Sequence, residues 1–563
     1  MSTWTIAAVQ TDVRLGDFAH NLDTVRAKLR TAAGRGAKPR ERGGGGCSRM
    51  RIVPGRATLA VACGVLLMAG AGCAPHAGRA TGLESLEKSV KEFTLGNGIR
   101  FLLVERHDSP VFSYETVVNA GSADDTPGAT GLAHMMEHMA FKGTPWVGVR
   151  DAAAEAPLLK SEEAAYLALA AEQAKGVHAD STRLHQLEAS FAAAQAAAEA
   201  QVVPEEFSQI LERAGARDVN AETSSDVTAY IYSIPSNQLE LWALMEGGRL
   251  SHPVFRQFYR ERDVVIEERR MSTESSPFGR LADAFVHAAF KVHPYGQGTI
   301  GAAADLKSLT RTEGEAFFHR HYVAPAITVA VVGDVTPAEL ERVAKRYFDD
   351  IPGGPAPAGV QAVEPEQKAE RRVTLNDAAQ PIVMVGWHMP ACTDAHFTAY
   401  EALADLLGGG DHARLQKALV RDAAIAVDIQ TTTGFPGEKY PGVYGVLAIP
   451  AEGVAPDSLE RGVEHVVQDA STAHPLTQEE LEGYKVRARA QKLGAVEQNA
   501  SLAHELGHAQ ALHHDWRAFF REQDEVQSLT LDDLSQALRT FTAENRVVAM
   551  LVPPTAAGKA GAR

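Results

Sequence analysis

Residues 126–144 read TPGATGLAHMMEHMAFKGT. Pro127, Gly128 and Thr130 suit a helix start, which places His134-Met135-Met136-Glu137-His138 in the first two turns. His134 and His138 are four residues apart and share one helical face, the spacing at which two imidazoles can hold one zinc ion. Glu137, one position before the second imidazole, can reach an attacking water as general base. The plain alternative is a pair of packing or surface histidines. A two-histidine zinc site needs a third protein ligand, usually a carboxylate. Downstream, FRQFYRERDVVIEERRM (255–271) is strongly helical, and its Glu261 and Glu268 lie seven residues apart. Two helical turns put both on one face, one as ligand and one in support.

A second motif competes for the metal. His504-Glu505-Leu506-Gly507-His508, followed by His513 and His514, has the H-E-x-x-H order of ordinary zinc proteases. Either pattern is expected by chance about 0.1 times in a chain of this composition, so context decides. Context favours the first, because 504–508 lacks comparable acidic support and Ala511 stands where a turn to a third histidine needs Gly. The alternative reading of 504–508 is a packing or surface helix.

The chain has 563 residues and a formal net charge of −16, which argues against a nucleic-acid surface. Its 4 cysteines exclude a disulfide scaffold, so the chemistry must run on His, Asp and Glu. Residues 150–203 form an Ala-, Leu- and Glu-rich insert. Its Leu184, Leu187, Phe191, Ala194 and Ala198 follow a coiled-coil spacing, and Gly176 with Asp180 or Ser181 marks a break between two helices. A helical hairpin projecting as a solvated arm is expected. Around it, strands alternate with helices over 90–352. Residues 353–372 lie in a Pro-, Gly- and Glu-rich linker, and a second strand–helix series runs over 373–553. SLTRTEGEAFFHRHYVAPAITVAVVGD from Ser308 and SLTLDDLSQALRTFTAENRVVAMLVPP from Ser528 echo each other, each a short helix and then a Val-rich strand. The expected fold class is α+β, with two similar halves. Gly408 to Gly410 lack the Gly-Lys-Ser/Thr ending of a phosphate loop and are expected to terminate a helix.

Residues 50–73 carry a basic start, 16 mostly apolar residues and a small-residue exit, LLMAGAGC. This resembles a secretory signal with a lipoprotein box, making Cys73 the candidate lipidation site and the bacterial envelope, in the periplasm and lipid-anchored to a membrane, the expected location. An uncleaved hydrophobic anchor is the alternative. Translation is expected to begin at Met50. Residues 1–37, AAVQTDVRLGDFAHNLDTVRAKLRTAAGRGA within them, resemble the opening of nitrilase-like hydrolases but stop before any catalytic position of that family, so no amidase activity is expected.

Taken together, GLAHMMEHMAFKGT, NAETSSDVTAY from Asn220, ERDVVIEERR from Glu261, HPYGQGTIG from His293 and VVGDVTPAEL from Val331 resemble the insulinase-like (pitrilysin) zinc peptidases over about 90–553. The resemblance implies two α/β-sandwich halves, with a metal site in the first only. It implies Zn2+ on His134, His138 and Glu268, Glu137 as the base, and Glu261 as the supporting acid. Asn220 and Ala221 would lie on an edge strand that pairs a peptide substrate. The 129 residues between His138 and Glu268 exceed the family's usual interval. The 54-residue insert accounts for the excess, with Glu267 as the neighbour that could replace Glu268. In the second half, LVRDAAIAVDIQ offers Arg421 for substrate binding, but Val427 or Asp428 occupies the place of an oxyanion-stabilising Tyr. The resemblance therefore implies a zinc endopeptidase acting on peptides, as a heterodimer with a metal-free homologue or as a homodimer. The alternatives are a non-catalytic subunit of such a complex and a protease built on His504, Glu505 and His508.

Overall fold

Two β-sheets that share one five-strand order, the first with an extra edge strand, carry the molecule, and the computed structural model describes residues 81–554. The first sheet contains β1 (Lys91–Thr94), β2 (Arg100–Glu105), β3 (Val111–Val118), β4 (Arg217–Thr223), β5 (Thr228–Pro235) and β6 (Ile327–Gly333), in the order β1-β2-β6-β3-β5-β4. The second contains β7 (Arg371–Asn376), β8 (Ile382–Met389), β9 (Ala426–Phe435), β10 (Gly442–Pro450) and β11 (Arg546–Val552), in the order β7-β11-β8-β10-β9. In each, one parallel pair (β2 with β6, β7 with β11) is followed by three antiparallel pairs. The strand that closes each half, β6 or β11, follows the helix of the sequence echo, Arg311–His321 or Leu531–Arg539. Shared order and shared strand sense give the echo a topological counterpart.

The central strands bury side chains on both faces: every residue of β6 is buried, as are seven of eight in β3. Each sheet therefore needs a cover on either side. Among the described helices, those that concern the site are labelled in chain order: α1 (Leu132–Met139), α2 (Ala152–Gln173), α3 (Ser181–Glu199), α4 (Phe258–Arg269), α5 (Pro277–Ala289), α6 (Gln478–Ala495) and α7 (Asn499–His513). The halves exchange covers. Helix α5 of the first half packs on β7 and β11, while α7 of the second half packs on β3 and β6. Leu502, Ala503 and Leu506 of α7 join Leu102, Val104, Ala330 and Val332 of the first sheet in one apolar cluster. Asp226 ties the halves at the loop level, accepting from the Tyr295 hydroxyl and from the backbone N–H of Glu438 (2.7 Å) and Lys439 (3.1 Å).

The insert differs from expectation. Its two helices are present, with Gly176 at the break (φ +56°) and Asp180 capping α3 through the N–H groups of Thr182 and Arg183. It is not a free arm, however, because α2 buries Glu155, Glu162, Glu163, Tyr166 and Leu169. Glu155 pairs in bidentate fashion with buried Arg256 (2.8 and 3.0 Å), and Glu163 accepts from the Tyr259 hydroxyl (2.6 Å). Arg262 lies over the Tyr166 ring. The acidic residues of α2 thus face inward, where the segment around α4 supplies arginines and a tyrosine, and a periodicity reading of Ala and Leu alone does not register them. Gly408 closes the helix Phe397–Gly408, as expected of the glycine run. The nitrilase-like stretch 1–37 and the signal-like segment 50–73 with Cys73 lie outside the described residues.

Candidate active site and metal centre

Helix α1 begins one residue after Gly131, whose φ of +94° and close approach to the Ile300 carbonyl only glycine accommodates easily. Asp125 accepts from the backbone N–H of Gly131 (2.7 Å) and Ala133 (2.9 Å), satisfying two of the free donors at this helix start. The helix packs against β4, β5 and α4. Its Leu132, Ala133, Met135, Met136 and Met139 are buried in the core, which turns His134, Glu137 and His138 toward β4 and α4.

There His134, His138 and Glu268 each offer a ligand atom within 4.8 Å of the others. Nε2 of His134 lies 3.8 Å from Glu268 Oε1, and Nε2 of His138 lies 3.4 Å from Glu268 Oε2. Glu261, one α4 face with Glu268, receives His138 Nδ1 at 3.1 Å and Lys142 Nζ at 2.6 Å. Glu267 turns outward and pairs with Arg270 at 2.8 Å, so the geometry selects Glu268 over its neighbour. Burial, then the His138 ring, pushes the His134 pKa down to about 4 and leaves a neutral imidazole. Burial also opposes charge on His138, but hydrogen bonds to Glu261 and Glu268 outweigh it and raise its pKa to about 9. Two imidazole nitrogens and one carboxylate, with Glu137 alongside, are a donor set that suits zinc and leaves a fourth position open.

Glu137 accepts from Thr223 Oγ1 at 2.6 Å through Oε2, and burial raises its pKa. Thr223 escaped the sequence reading, although it lies within the NAETSS stretch; only the pairing of β4 beside α1 reveals that its hydroxyl meets Glu137. Asn220 and Ala221 lie on β4, opposite Ile231 and Tyr230 of β5. Strand β4 ends the sheet and is paired on one side only among the described strands. Arg421 is exposed in the helical turn Gln416–Asp422, and Val427 and Asp428 stand on β9, the corresponding edge of the second sheet. The structure does not bring these three into the group around Glu137.

The second histidine pair has other partners than the sequence suggests. His504 Nδ1 lies 3.1 Å from Glu115 Oε2, and His508 Nε2 lies 3.0 Å from Glu115 Oε1. Glu222 completes this second group. Glu505, His513 and His514 are not part of it. The expectation that 504–508 lacks acidic support is thus corrected: Glu115 lies 389 residues from His504, on β3, where no sequence spacing could point to it.

The family description "Insulinase (Peptidase family M16)" matches residues 100–154, and "Peptidase M16 inactive domain" matches residues 308–486. The solved structure of a protease from Helicobacter pylori superposes with a TM-score of 0.68 at 22% identity, over 82% of this chain and 99% of that one. The fold is the pitrilysin fold. A second pitrilysin-fold structure, a peptidase M16 inactive domain from Pseudomonas fluorescens, gives 0.64 at 19% identity, over 83% and 98%. Among curated relatives, the zinc protease PqqE of Helicobacter pylori is 26% identical over 423 residues, 73% of this chain and 81% of that protein. An uncharacterized zinc protease of Mycobacterium leprae is 25% identical over 354 residues, 61% and 77% of the two chains. The M16 matches and the zinc-protease relatives agree with that fold. The matched segment 100–154 contains α1 with both histidines and Glu137.

Proposed function

We propose that this chain is a zinc-dependent endopeptidase acting on peptides or unfolded polypeptides. The observation that carries the reading is the convergence of His134, His138 and Glu268 beside Glu137, next to the unpaired edge of β4. Zinc on those three residues would supply a Lewis acid that polarises the scissile carbonyl and acidifies water. Glu261 fixes the His138 ring by accepting from Nδ1, which leaves Nε2 facing Glu268. Because Thr223 occupies Oε2 of Glu137, Oε1 is the atom that takes the water proton and returns it to the leaving amine. Burial favours this role, since a raised pKa lets Glu137 hold the proton between the two transfers. The edge of β4 at Asn220 and Ala221 receives substrate by strand addition, where main-chain bonds give affinity with little demand on side-chain identity.

Val427 and Asp428 bear on a second reading, a subunit that keeps the fold and leaves cleavage to a partner. An exposed Val has no proton to donate to an oxyanion, and an ionised Asp would repel one. We therefore propose pairing with a homologous, metal-free chain, or with a second copy, that supplies the missing donor through its own edge. Residues 50–73 support placement in the cell envelope, with Cys73 as lipidation site; among the described residues no helix is long and apolar enough to cross a membrane.

The test is cleavage of a quenched peptide mixture by the full chain and by Glu137→Gln, with bound zinc determined in both. The expected outcome is retained zinc with activity lowered about 10²–10⁴-fold. Wild-type zinc binding without cleavage would favour the subunit reading. Equal cleavage by Glu137→Gln would overturn the proposal.

A further inference from the structure

Beyond the group around His134, one other cluster among the described residues could hold a metal ion. It consists of Glu115, Glu222, His504 and His508, whose ligand atoms all lie within 4.8 Å of one another. Its four His–carboxylate distances are 3.1 and 4.0 Å for His504 Nδ1, and 3.0 and 3.8 Å for His508 Nε2, to Glu115 and Glu222 respectively. Four donors held at about 2.1 Å from a tetrahedral zinc are separated by about 3.4 Å. The observed distances bracket that edge length, and the 3.4 and 3.8 Å separations at His138 and His134 lie at it and just above it.

All four contacts lie within ion-pair reach, and the same spacing lets the four groups share one cation. Both rings aim at one carboxylate, Glu115, whose side chain is 1% exposed. Glu222 stands beside them at 3.8 and 4.0 Å, too far to hydrogen-bond either ring but suitably placed to share a cation with them. Two carboxylates balance the charge of a divalent ion, so the filled site would be neutral with both imidazoles unprotonated. Glu222 and His504 are 44% and 42% exposed, which leaves an entry path from solvent.

We infer that Glu115, Glu222, His504 and His508 form a second zinc site, a structural clamp between the two halves of the molecule. Each half supplies two ligands: β3 and β4 the carboxylates, α7 the imidazoles. With four protein ligands the site is closed and carries no catalytic position. The i,i+4 spacing of the histidines provides the chelate, as in a metalloprotease, but Glu505 is not among the donors and supplies no base. The clamp also reaches β4. Successive strand side chains point to opposite faces, so Glu222 looks toward α7 while Thr223 holds Glu137. The second ion therefore fixes, from behind, the strand that lines the catalytic group. This inference stands whether or not the chain is a peptidase.

The experiment loads metal-free full-length protein with Zn2+, removes excess by exchange, and counts zinc per chain by elemental analysis. The expected count is two in the wild type, one in His138→Ala, one in His508→Ala and none in the double variant. Glu222→Gln, at a half-exposed position, guards against loss of fold; zinc at the second site should dissociate at least about tenfold more readily there. Thermal melting supplies an independent reading: His138→Ala should still gain stability on adding zinc, and His138→Ala combined with His508→Ala should not. A single zinc lost completely in His138→Ala would overturn the inference. So would a second equivalent that survives unchanged in both His508→Ala and Glu222→Gln.

Discussion

Glu261 shows how one residue can matter to the proposed chemistry without touching a reacting atom. It holds His138 Nδ1 and Lys142 Nζ on its two oxygens, and its side chain is 13% exposed. Glu261→Gln keeps an oxygen for the ring N–H but removes the negative charge that makes the imidazole a stronger ligand. The expected effect is a 10–100-fold loss of zinc affinity in chelator competition with an unchanged metal-free melting temperature. A drop in melting temperature with unchanged zinc affinity would mean that Glu261 serves packing alone. The same scale separates Glu268 from Glu267: adjacent letters in the sequence, yet one faces His134 and His138 and the other Arg270.

At the scale of elements, charge decides how helices seat. Glu480 closes the capping box of α6 with Thr477 and also accepts Arg414 at 2.7 Å. Burial opposes its ionisation, but Arg414 and the Thr477 N–H and hydroxyl outweigh burial and lower its pKa from 4.5 to about 2. A depressed carboxylate pKa contributes stability that is full above the unfolded value and is lost as pH falls toward the folded one. Melting temperature should therefore fall between about pH 4.5 and pH 2, and Glu480→Gln should lower it at pH 7 while flattening that acid limb. An acid limb as steep in Glu480→Gln as in the wild type would assign the loss to other carboxylates. The insert follows the same logic. Its hairpin was legible from Gly176, Asp180 and the leucine spacing, but not its seat, because Glu155 and Glu163 find Arg256 and Tyr259 about a hundred residues away.

Across the whole molecule, the exchange of α5 and α7 joins the halves. At Gly507, α7 lies close against the first sheet: a Cβ there would stand 2.8 Å from Val117 Cγ2. Val117 is 1% exposed and β-branched, so its methyl cannot swing aside. Gly507→Ala gains up to about 1 kcal/mol of helix propensity but overpacks a filled contact at about 1–3 kcal/mol. A net loss of stability is expected in urea unfolding, with Val117→Ala rescuing it in a double-mutant cycle. Stabilisation by Gly507→Ala would mean that α7 sits less tightly than described. The glycine inside His504–His508, which a motif reading treats as filler, is thus a point of close approach between halves.

The sequence by itself determined the two halves, the α+β class, the zinc-type spacing in 134–138 and the helix that carries Glu261 and Glu268. These depend on periodicities of two and 3.6 residues and on motifs contained in one or two elements, which are local properties of the chain. The two strand–helix series accordingly anticipated two sheet-containing halves, though not their strand order. What only the tertiary structure decided is which distant groups meet: Thr223 with Glu137, the insert with α4, and the 504–508 histidines with Glu115 and Glu222. Such encounters arise because a sheet face and a helix from the other half must bury apolar surface together, and that packing fixes which polar groups are left facing each other.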